Sequence, residues 1–165
     1  HRDLHSFPTR RSSDLEYLVD EVISQQSEEI QSFLTVTSLM EHICGSLCDA
    51  IREREDSQEL IEELERANLF LIPLDDQQGW FRYHQLFTDA LANRRLNLGE
   101  EQTRLIHHRA AGWFARHNFL DKSVQHYMEA GETQQAVGTF IEVASPLLSQ
   151  GRVDKIGRAS CRERV

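Results

Sequence analysis

The sequence predicts a mainly α-helical protein, in which a winged-helix domain with a small β-hairpin is followed by antiparallel helical-repeat helices. Two observations lead to this prediction. Residues 56–92 show the order helix, strand, tight turn, strand, helix, which is the order of a winged-helix core. Beyond residue 99 the apolar residues recur only at the spacing of helices.

The first helix of the core is predicted from a capping pattern and an apolar stripe. Asp56 is placed to cap the helix, and Glu59 is placed to reach back to the N–H of the cap residue. Asn68 is expected to end the helix in a left-handed conformation. Four apolar residues fall on one helical face between these ends: Leu60, Ile61, Leu64 and Ala67.

The hairpin and the following helix complete the core. Residues 69–74 (LFLIPL) predict a buried strand, and Pro73 places the end of that strand at a sheet edge. Residues 75–79 have the polar composition of a turn, and residues 80–84 predict the returning strand. Four apolar residues indicate the next helix: Leu86, Phe87, Ala90 and Leu91.

Short helices are predicted before this core. Residues 16–26 predict one amphipathic helix, and Ser27 is expected to cap a second helix that buries Ile30, Phe33 and Leu34. A looser passage follows over residues 35–45. Residues 46–51 then predict a third short helix, which holds Leu47, Cys48 and Ile51.

The chain beyond residues 97–99, the best candidate for a domain boundary, is predicted to be wholly helical. Helices are expected over residues 101–117, 121–130 and 133–145, with Pro146 closing or kinking the last one. The triplet Ser123, Val124 and Tyr127 is echoed by Ala136, Val137 and Phe140. This echo favours a tetratricopeptide-like (TPR-like) repeat with more repeats to follow, although three unrelated bundle helices fit the pattern nearly as well.

Both ends of the sequence look like translated sequencing adapter. DNA that encodes residues 5–14 (HSFPTRRSSD) has a reverse complement that translates as IGRASCRERV, which is the sequence of residues 156–165. We therefore expect residues 1–15 and 155–165 to be adapter-derived, and the native reading frame to be truncated on both sides. Residues 16–97 are expected to form the winged-helix domain and residues 98–154 to begin the TPR-like repeat.

The native segment is strongly acidic. Residues 16–154 hold eleven Lys and Arg against twenty-four Asp and Glu, a formal charge of −13, whereas the whole chain carries −9. Binding to nucleic acid depends on cationic contacts with phosphates, so this balance predicts no direct nucleic-acid contact. The candidate recognition helix and the wing tip are acidic as well, since only Arg66 opposes Glu59, Glu62, Glu63, Glu65, Asp75 and Asp76.

The absence of several motifs argues against a catalytic or nucleotide-binding site in this segment. The sequence has no phosphate-binding P-loop, no G-x-S-x-G and no H-E-x-x-H, so the segment is predicted not to be an enzyme and to hold no catalytic residue. Cys44 and Cys48 are interpreted as small buried residues, since a zinc site needs two further ligands and only His42 is near. No metal site, membrane contact or membrane-spanning run is predicted, and the segment is expected to be cytoplasmic.

The sequence allows two interpretations of His84 and gives one expectation for each of the other histidines and aromatic residues considered. His84 begins the helix after the hairpin, where free N–H groups and the helix dipole favour an anion such as phosphate. The alternative is a partly buried His84 that packs on Trp80 and Arg82. His107 and His108 are expected at the surface, and the Glu-rich face over residues 53–65 is expected to be solvated. Trp113 and Phe114 are expected in the repeat core.

Several stretches resemble a known family. They are YLVDEVISQQSEEIQSFLTVTSL (Tyr17–Leu39), LCDAI (Leu47–Ile51), LIEELERANLFLIPLDD (Leu60–Asp76) and WFRYHQLFTDAL (Trp80–Leu91). Together they are similar to the segment after the nucleotide-binding domain in large MalT-like, LuxR-family transcriptional activators. RAAGWFARHN (Arg109–Asn118) and AVGTF (Ala136–Phe140) resemble the start of the TPR-like repeats of that family.

The resemblance implies a function for the segment. It would be a non-catalytic relay between an ATPase domain and a helical-repeat sensor, with promoters bound by a C-terminal helix-turn-helix. The implied cofactor is ATP or ADP in the full-length protein and none in the fragment. The implied partners are the nucleotide-binding domain of the same chain and an inducer or regulatory protein on the repeats.

The resemblance also implies a role for His84. Related switch ATPases carry a Met-His-Asp motif at the same hairpin-to-helix junction, where the histidine contacts the β-phosphate of ADP. FRYHQLF (Phe81–Phe87) looks similar, although Tyr83 and Gln85 replace the flanking Met and Asp. Two other functions stay open: a freestanding helical-repeat scaffold for a protein partner, and a small DNA-binding repressor, which the charge disfavours.

Overall fold

The computed structural model describes residues 10–68, 70–74 and 79–149. The predicted fold class is confirmed, since the described chain is mainly helical with one small antiparallel hairpin. The elements in chain order are α1 (Arg10–Ser24), α2 (Glu28–Thr37), α3 (Gly45–Arg52), α4 (Ser57–Arg66), β1 (Leu71–Pro73), β2 (Phe81–Tyr83), α5 (Gln85–Leu96), α6 (Glu100–Arg116), α7 (Leu120–Glu129) and α8 (Thr133–Ser149).

The described residues form two compact units. The first is built from residues within 1–48 and 55–98, and the second from residues within 49–54 and 99–165. The first unit therefore holds the hairpin and the helices that surround it. The second holds α6, α7 and α8 together with the end of α3, whose Ile51 is buried.

The helices before the hairpin follow local signals. Ser27 caps α2 as predicted, because its Oγ accepts a hydrogen bond of 3.3 Å from the N–H of Ile30. The predicted core positions of α2 are buried. The helix continues to Thr37, however, into the passage that the sequence predicted to be looser. Cys48 is buried in α3, in agreement with its interpretation as a core residue.

Strand β2 lies in the middle of the small sheet. It pairs antiparallel with β1, so that Ile72 lies opposite Arg82. On its other side, Ile43 forms an isolated bridge to Phe81 through two backbone hydrogen bonds of 2.8 Å. The sequence analysis missed this contact because a single bridged residue has no periodicity.

The prediction of a buried first strand over residues 69–74 is wrong. Strand β1 covers only Leu71–Pro73, with Leu71 and Ile72 half-buried and Pro73 exposed. Leu74 follows the strand and is also exposed. The strand lies at the edge of the sheet, which is where Pro73 was expected. Leu69 and the predicted turn residues 75–78 lie outside the described residues.

Helix α4 differs from its prediction at both ends. Asp56 occupies the N-cap position, but its side chain makes no capping hydrogen bond, so the predicted capping box does not form. Ala67 is the C-cap residue and is exposed, although the sequence placed it on the buried stripe. The left-handed conformation of Asn68 is confirmed, with φ at 51°. The remaining stripe residues, Leu60, Ile61 and Leu64, are buried.

In the second unit, α6 packs against α7 and α7 packs against α8. The predicted core positions Trp113 and Phe114 are buried, but Leu105 is exposed. Helix α8 continues through Pro146 to Ser149, so the proline does not close it. The proline was expected to interrupt a helix because it lacks a backbone N–H.

Candidate functional site: the hairpin-to-helix junction

His84 lies between β2 and α5 and caps the helix with its own side chain. Its backbone is extended (φ −62°, ψ 142°), and its Nδ1 accepts a hydrogen bond of 3.3 Å from the N–H of Leu86. Because Nδ1 accepts, the proton of the neutral ring lies on Nε2. The side chain is exposed, so the predicted alternative of a partly buried His84 is wrong. The junction therefore presents an imidazole N–H donor beside a helix N-terminus.

The residue before His84 anchors the junction in the core. The Tyr83 hydroxyl lies 2.6 Å from Oγ1 of Thr37, and both side chains are buried. Thr37 uses its single hydroxyl proton on the carbonyl of Phe33, at 2.7 Å. The Tyr83 O–H is consequently the donor to Thr37. Because successive strand residues point to opposite faces, burial of Tyr83 directs its neighbour His84 outward.

The residue three positions after His84 anchors the helix side of the junction. The buried Phe87 ring packs against Tyr83, with ring centroids 5.4 Å apart, and stacks on Phe70 at 4.6 Å. The backbone N–H of His84 donates to the carbonyl of Phe70 at 2.9 Å. Packing and backbone hydrogen bonds thus hold the backbone at His84 in place, which favours a fixed geometry for its exposed side chain.

The charges at the junction suit an anion. Arg82 is exposed and lies two residues before His84 on β2, so both side chains belong to the same strand face. The first turn of α5 holds no acidic residue. The nearest carboxylate along the helix, Asp89, accepts a hydrogen bond of 2.9 Å from Nε2 of Gln85. The junction therefore places an imidazole N–H at the positive end of a helix dipole, with an exposed arginine two residues earlier in the chain.

The surface of α4 has the opposite character. Its exposed side chains include Glu59, Glu62, Glu63 and Glu65, as the sequence predicted for a solvated face. In a winged helix that reads DNA, the recognition helix presents basic and polar side chains to the major groove. The acidic wing-tip pair, Asp75 and Asp76, lies outside the described residues. The described face of α4 would repel phosphate.

Two of the predicted surface residues on α6 have different environments. His108 is half exposed, and its Nδ1 lies 2.7 Å from a carboxylate oxygen of Glu132. His107 is buried, and its Nδ1 lies 2.9 Å from Nδ1 of His126 on α7. The prediction is wrong for His107. The signal that the sequence analysis overlooked is its spacing of three and seven residues from the buried Ala110 and Phe114.

An open groove of about 760 Å³ lies in the second unit. Arg104 is one of the residues that line it, and its Nε donates to the carbonyl of Ala130 at 3.0 Å. Glu132 also lines the groove, and its Oε2 is buried and has no hydrogen-bond partner among the described residues. A buried carboxylate oxygen without a donor is unusual in a folded protein.

The cysteines confirm their structural interpretation. Cys44 and Cys48 are both buried, and Sγ of Cys44 lies 3.6 Å from Oγ of Ser46. Within the described ranges, no group of three or more His, Cys, Asp or Glu side chains is arranged to hold a metal ion. None of the helices in the described part of the chain is long and apolar enough to cross a membrane.

The fold and the junction define this protein as a winged-helix domain with an acidic α4, joined to a unit of packed helices. Residues 19–105 match the family model of the MalT winged helix domain, and the chain belongs to this family. The family resemblance found in the sequence is thereby confirmed.

Curated relatives support the same membership. Serine/threonine-protein kinase PknK of Mycobacterium tuberculosis (strain H37Rv) is 35% identical over 138 residues, which cover 84% of this chain and 12% of that protein. The HTH-type transcriptional regulator MalT of Vibrio campbellii is 31% identical over 144 residues, covering 87% of this chain and 16% of the regulator. MalT of Yersinia pestis is 34% identical over 118 residues, covering 71% and 13%. The chain thus spans a small part of these relatives.

Proposed function

We propose that this chain is the relay segment of a MalT-type transcriptional regulator. It would join a nucleotide-binding ATPase domain to a helical-repeat sensor in the same cytoplasmic protein, and it would itself carry out no catalysis. Membership in the MalT winged helix family and the relatives named HTH-type transcriptional regulators support this proposal. Such a relay is a two-state element whose equilibrium is shifted by the ligands of its neighbours.

The observation that carries the proposal is the chemistry of the hairpin-to-helix junction. His84 uses Nδ1 to cap α5 and keeps the Nε2–H for an external acceptor. Arg82 lies on the same face of β2. We propose that His84 donates to a phosphate of ADP bound in the ATPase domain, and that Arg82 adds to the positive potential there. The winged helix would then respond to the state of the nucleotide.

The acidic face of α4 supports a relay rather than a DNA reader. Four exposed glutamates lie where a DNA-binding winged helix needs cationic contacts. In the proposed regulator, DNA is bound by a separate helix-turn-helix. Fluorescence anisotropy of labelled duplex DNA with the chain, measured over a range of salt concentrations, tests this part. We expect no salt-dependent binding, and a steep salt dependence would favour direct DNA binding instead.

The second unit would begin the sensor. Helix α8 exposes an apolar face formed by Val137, Phe140 and Ile141. An exposed apolar face of this kind is typical of a surface that another helix covers, and we propose that the next repeat packs there. An inducer or regulatory protein would bind to the assembled repeats. The open groove lined by Arg104, His108 and Glu132 is one place where such a ligand would bind.

The decisive experiment uses the complete gene, recovered by sequencing across both ends of the known segment. We expect a P-loop upstream and a helix-turn-helix downstream. In the complete protein, we expect His84→Asn to weaken ADP binding about tenfold or more, because a hydrogen bond to a charged group is lost. Asparagine retains the N-cap, whereas His84→Ala removes both the cap and the donor.

The two substitutions distinguish a loss of ADP binding from a loss of protein stability. Both should weaken retention of ADP, measured by equilibrium dialysis, and only His84→Ala should also lower the unfolding midpoint. His117→Ala, an exposed histidine on the second unit, serves as the control and should leave ADP affinity unchanged. Unchanged ADP affinity in His84→Asn would refute the phosphate contact. A gene without a P-loop would refute the relay proposal itself.

A second candidate function follows from the 35% identity with PknK, which is named a serine/threonine-protein kinase. The same module would then connect a protein kinase, rather than a promoter-binding domain, to helical repeats. The sequence of the complete gene distinguishes the two candidates. A kinase signature with a Gly-rich loop and a catalytic H-R-D motif would favour the second.

A further inference from the structure

A buried pair of histidines connects α6 to α7. His107 and His126 expose 8% and 7% of their surface, and their Nδ1 atoms lie 2.9 Å apart. Their rings are stacked with centroids at 5.1 Å, and the Phe114 ring lies nearly parallel to His126 at 5.2 Å. The pair is therefore a packed part of the interface between the two helices.

The short distance limits the protons that the pair can hold. One Nδ1 must carry a proton and donate, while the other must be unprotonated and accept. A first additional proton can bind to Nε2 of the donating ring, but it places a charge in a buried site. A second must bind to the accepting Nδ1, where it replaces the hydrogen bond by repulsion between two cations. The first added proton therefore keeps the N–H···N hydrogen bond and destabilises the closed helix pair through desolvation, whereas the second breaks the bond.

Charged groups lie near the pair on each of the packed helices. On α7, Glu129 is the group whose charge acts on His107, and Lys122 lies one turn before His126. On α6, His108 is paired with Glu132, and Arg109 is paired with Glu53. The remaining charged groups of the packed elements are exposed residues in the described chain, among them Asp121 on α7 and Glu142 on α8. Glu129 thus partly opposes the desolvation cost of a charge on His107.

We propose that the His107–His126 pair makes the α6–α7 hairpin acid-sensitive. One shared proton joins the two helices at neutral pH, whereas added protons first place a charge in the buried site and then replace the hydrogen bond by repulsion. This pair of helices, α6 and α7, lies at the beginning of the second unit. Its opening would loosen the helix against which α8 packs, and would thereby change the surface that the next repeat meets.

The direction of the pH dependence follows from burial. Desolvation lowers the pKa of His107 below its usual 6.5, and Glu129 partly opposes this shift. The unfolded or opened hairpin therefore binds a proton more readily than the closed one. The contribution of His107 to stability is complete above the usual pKa. It is lost progressively as the pH falls below that value towards the lowered pKa of the closed hairpin.

The first test observes the ring nitrogens of the intact chain. Long-range ¹H–¹⁵N spectra of histidine-labelled protein distinguish protonated from unprotonated Nδ1. At about pH 7.5 we expect one ring of the pair to have an unprotonated Nδ1 and the other a protonated Nδ1. Identical tautomers with Nε2–H in both rings, or two imidazolium rings at this pH, would overturn the proposal. This measurement does not depend on any substitution.

The second test measures opening of the hairpin by hydrogen exchange, corrected for the intrinsic pH dependence of exchange. Between about pH 7.5 and about pH 5, we expect protection of the α6 and α7 amides to fall by up to about tenfold per pH unit, wherever the open pair of helices binds one more proton than the closed pair. His126→Asn keeps a hydrogen-bonding amide but cannot titrate, so its loss of protection should be smaller. His42→Asn, a half-buried histidine of the first unit, should behave like the unsubstituted chain. Equal losses in His126→Asn and the unsubstituted chain would refute the proposal.

Discussion

Tyr83 donates a hydrogen bond of 2.6 Å to Thr37, a residue that lies 46 positions earlier in the chain. Both side chains are buried, and the Thr37 hydroxyl in turn donates a hydrogen bond to the carbonyl of Phe33. This chain of two hydrogen bonds joins β2 to α2. It also sets the orientation of the neighbouring His84, since alternate residues of a strand face opposite sides.

Substitution of Tyr83 tests this link. Tyr83→Phe removes the hydroxyl and keeps the ring, so we expect a loss of about 1 kcal/mol in the free energy of unfolding. Tyr17→Phe makes the same chemical change at a side chain that is 69% exposed, and it should have little effect. Urea unfolding of both variants gives the comparison. Equal stability of the two variants would contradict the finding that the hydrogen bond stabilises the fold.

Two glycines of the second unit should respond to alanine in opposite directions. Gly131 has φ at 76°, and an added Cβ would lie 3.3 Å from Nη2 of Arg104. Because L-residues are strained in this conformation, we expect Gly131→Ala to cost about 1–2 kcal/mol. Gly138 lies within α8 with open space around it, and Gly138→Ala should stabilise by about 0.5–1 kcal/mol. Thermal unfolding that shifted in the same direction for both variants would contradict the assigned conformations.

Arg94 should be sensitive to replacement by lysine. Its guanidinium contacts Asp20 at 2.8 Å, Ser24 at 2.7 Å and Gln31 at 3.1 Å, and so joins α5 to α1 and α2. Lysine keeps the charge but cannot make these contacts together, so Arg94→Lys should cost about 1 kcal/mol. Arg82→Lys, at an exposed position of β2, should stay within about 0.5 kcal/mol in the same urea assay. If Arg94 acted only through its charge, Arg94→Lys would be as stable as the unsubstituted chain, and that result would contradict the prediction.

Two phenylalanines separate the core of the first unit from the exposed face of the second. Phe87 is 1% exposed and Phe140 is 50% exposed. In this chain, Phe87→Ala should cost about 3–5 kcal/mol and Phe140→Ala should cost less than about 1 kcal/mol. In the complete protein, Phe140→Ala should become more costly, because we propose that the next repeat covers it. Equal costs of Phe140→Ala in the short and complete proteins would show that the face stays exposed.

Much of the fold could be predicted because its signals are local. The cap at Ser27, the left-handed Asn68 and the stripe of α4 each depend on residues within one or two turns. The position of His84 at a helix N-terminus was predicted in the same way and is confirmed. Its contact with phosphate stays a prediction, since that contact requires a partner domain. The capping box at Asp56 failed because a matching pattern permits a hydrogen bond without requiring it.

The sequence by itself determined the order of helices and strands, the acidic character of α4 and the family, because periodicity, capping and composition are properties of neighbouring residues. Only the tertiary structure decided that Ile43 extends the sheet, that His84 is exposed and that His107 is buried against His126. Each of these depends on segments that are distant in the chain and meet when helices and strands pack. Local patterns cannot specify such contacts, since the burial of a side chain is set by what covers it.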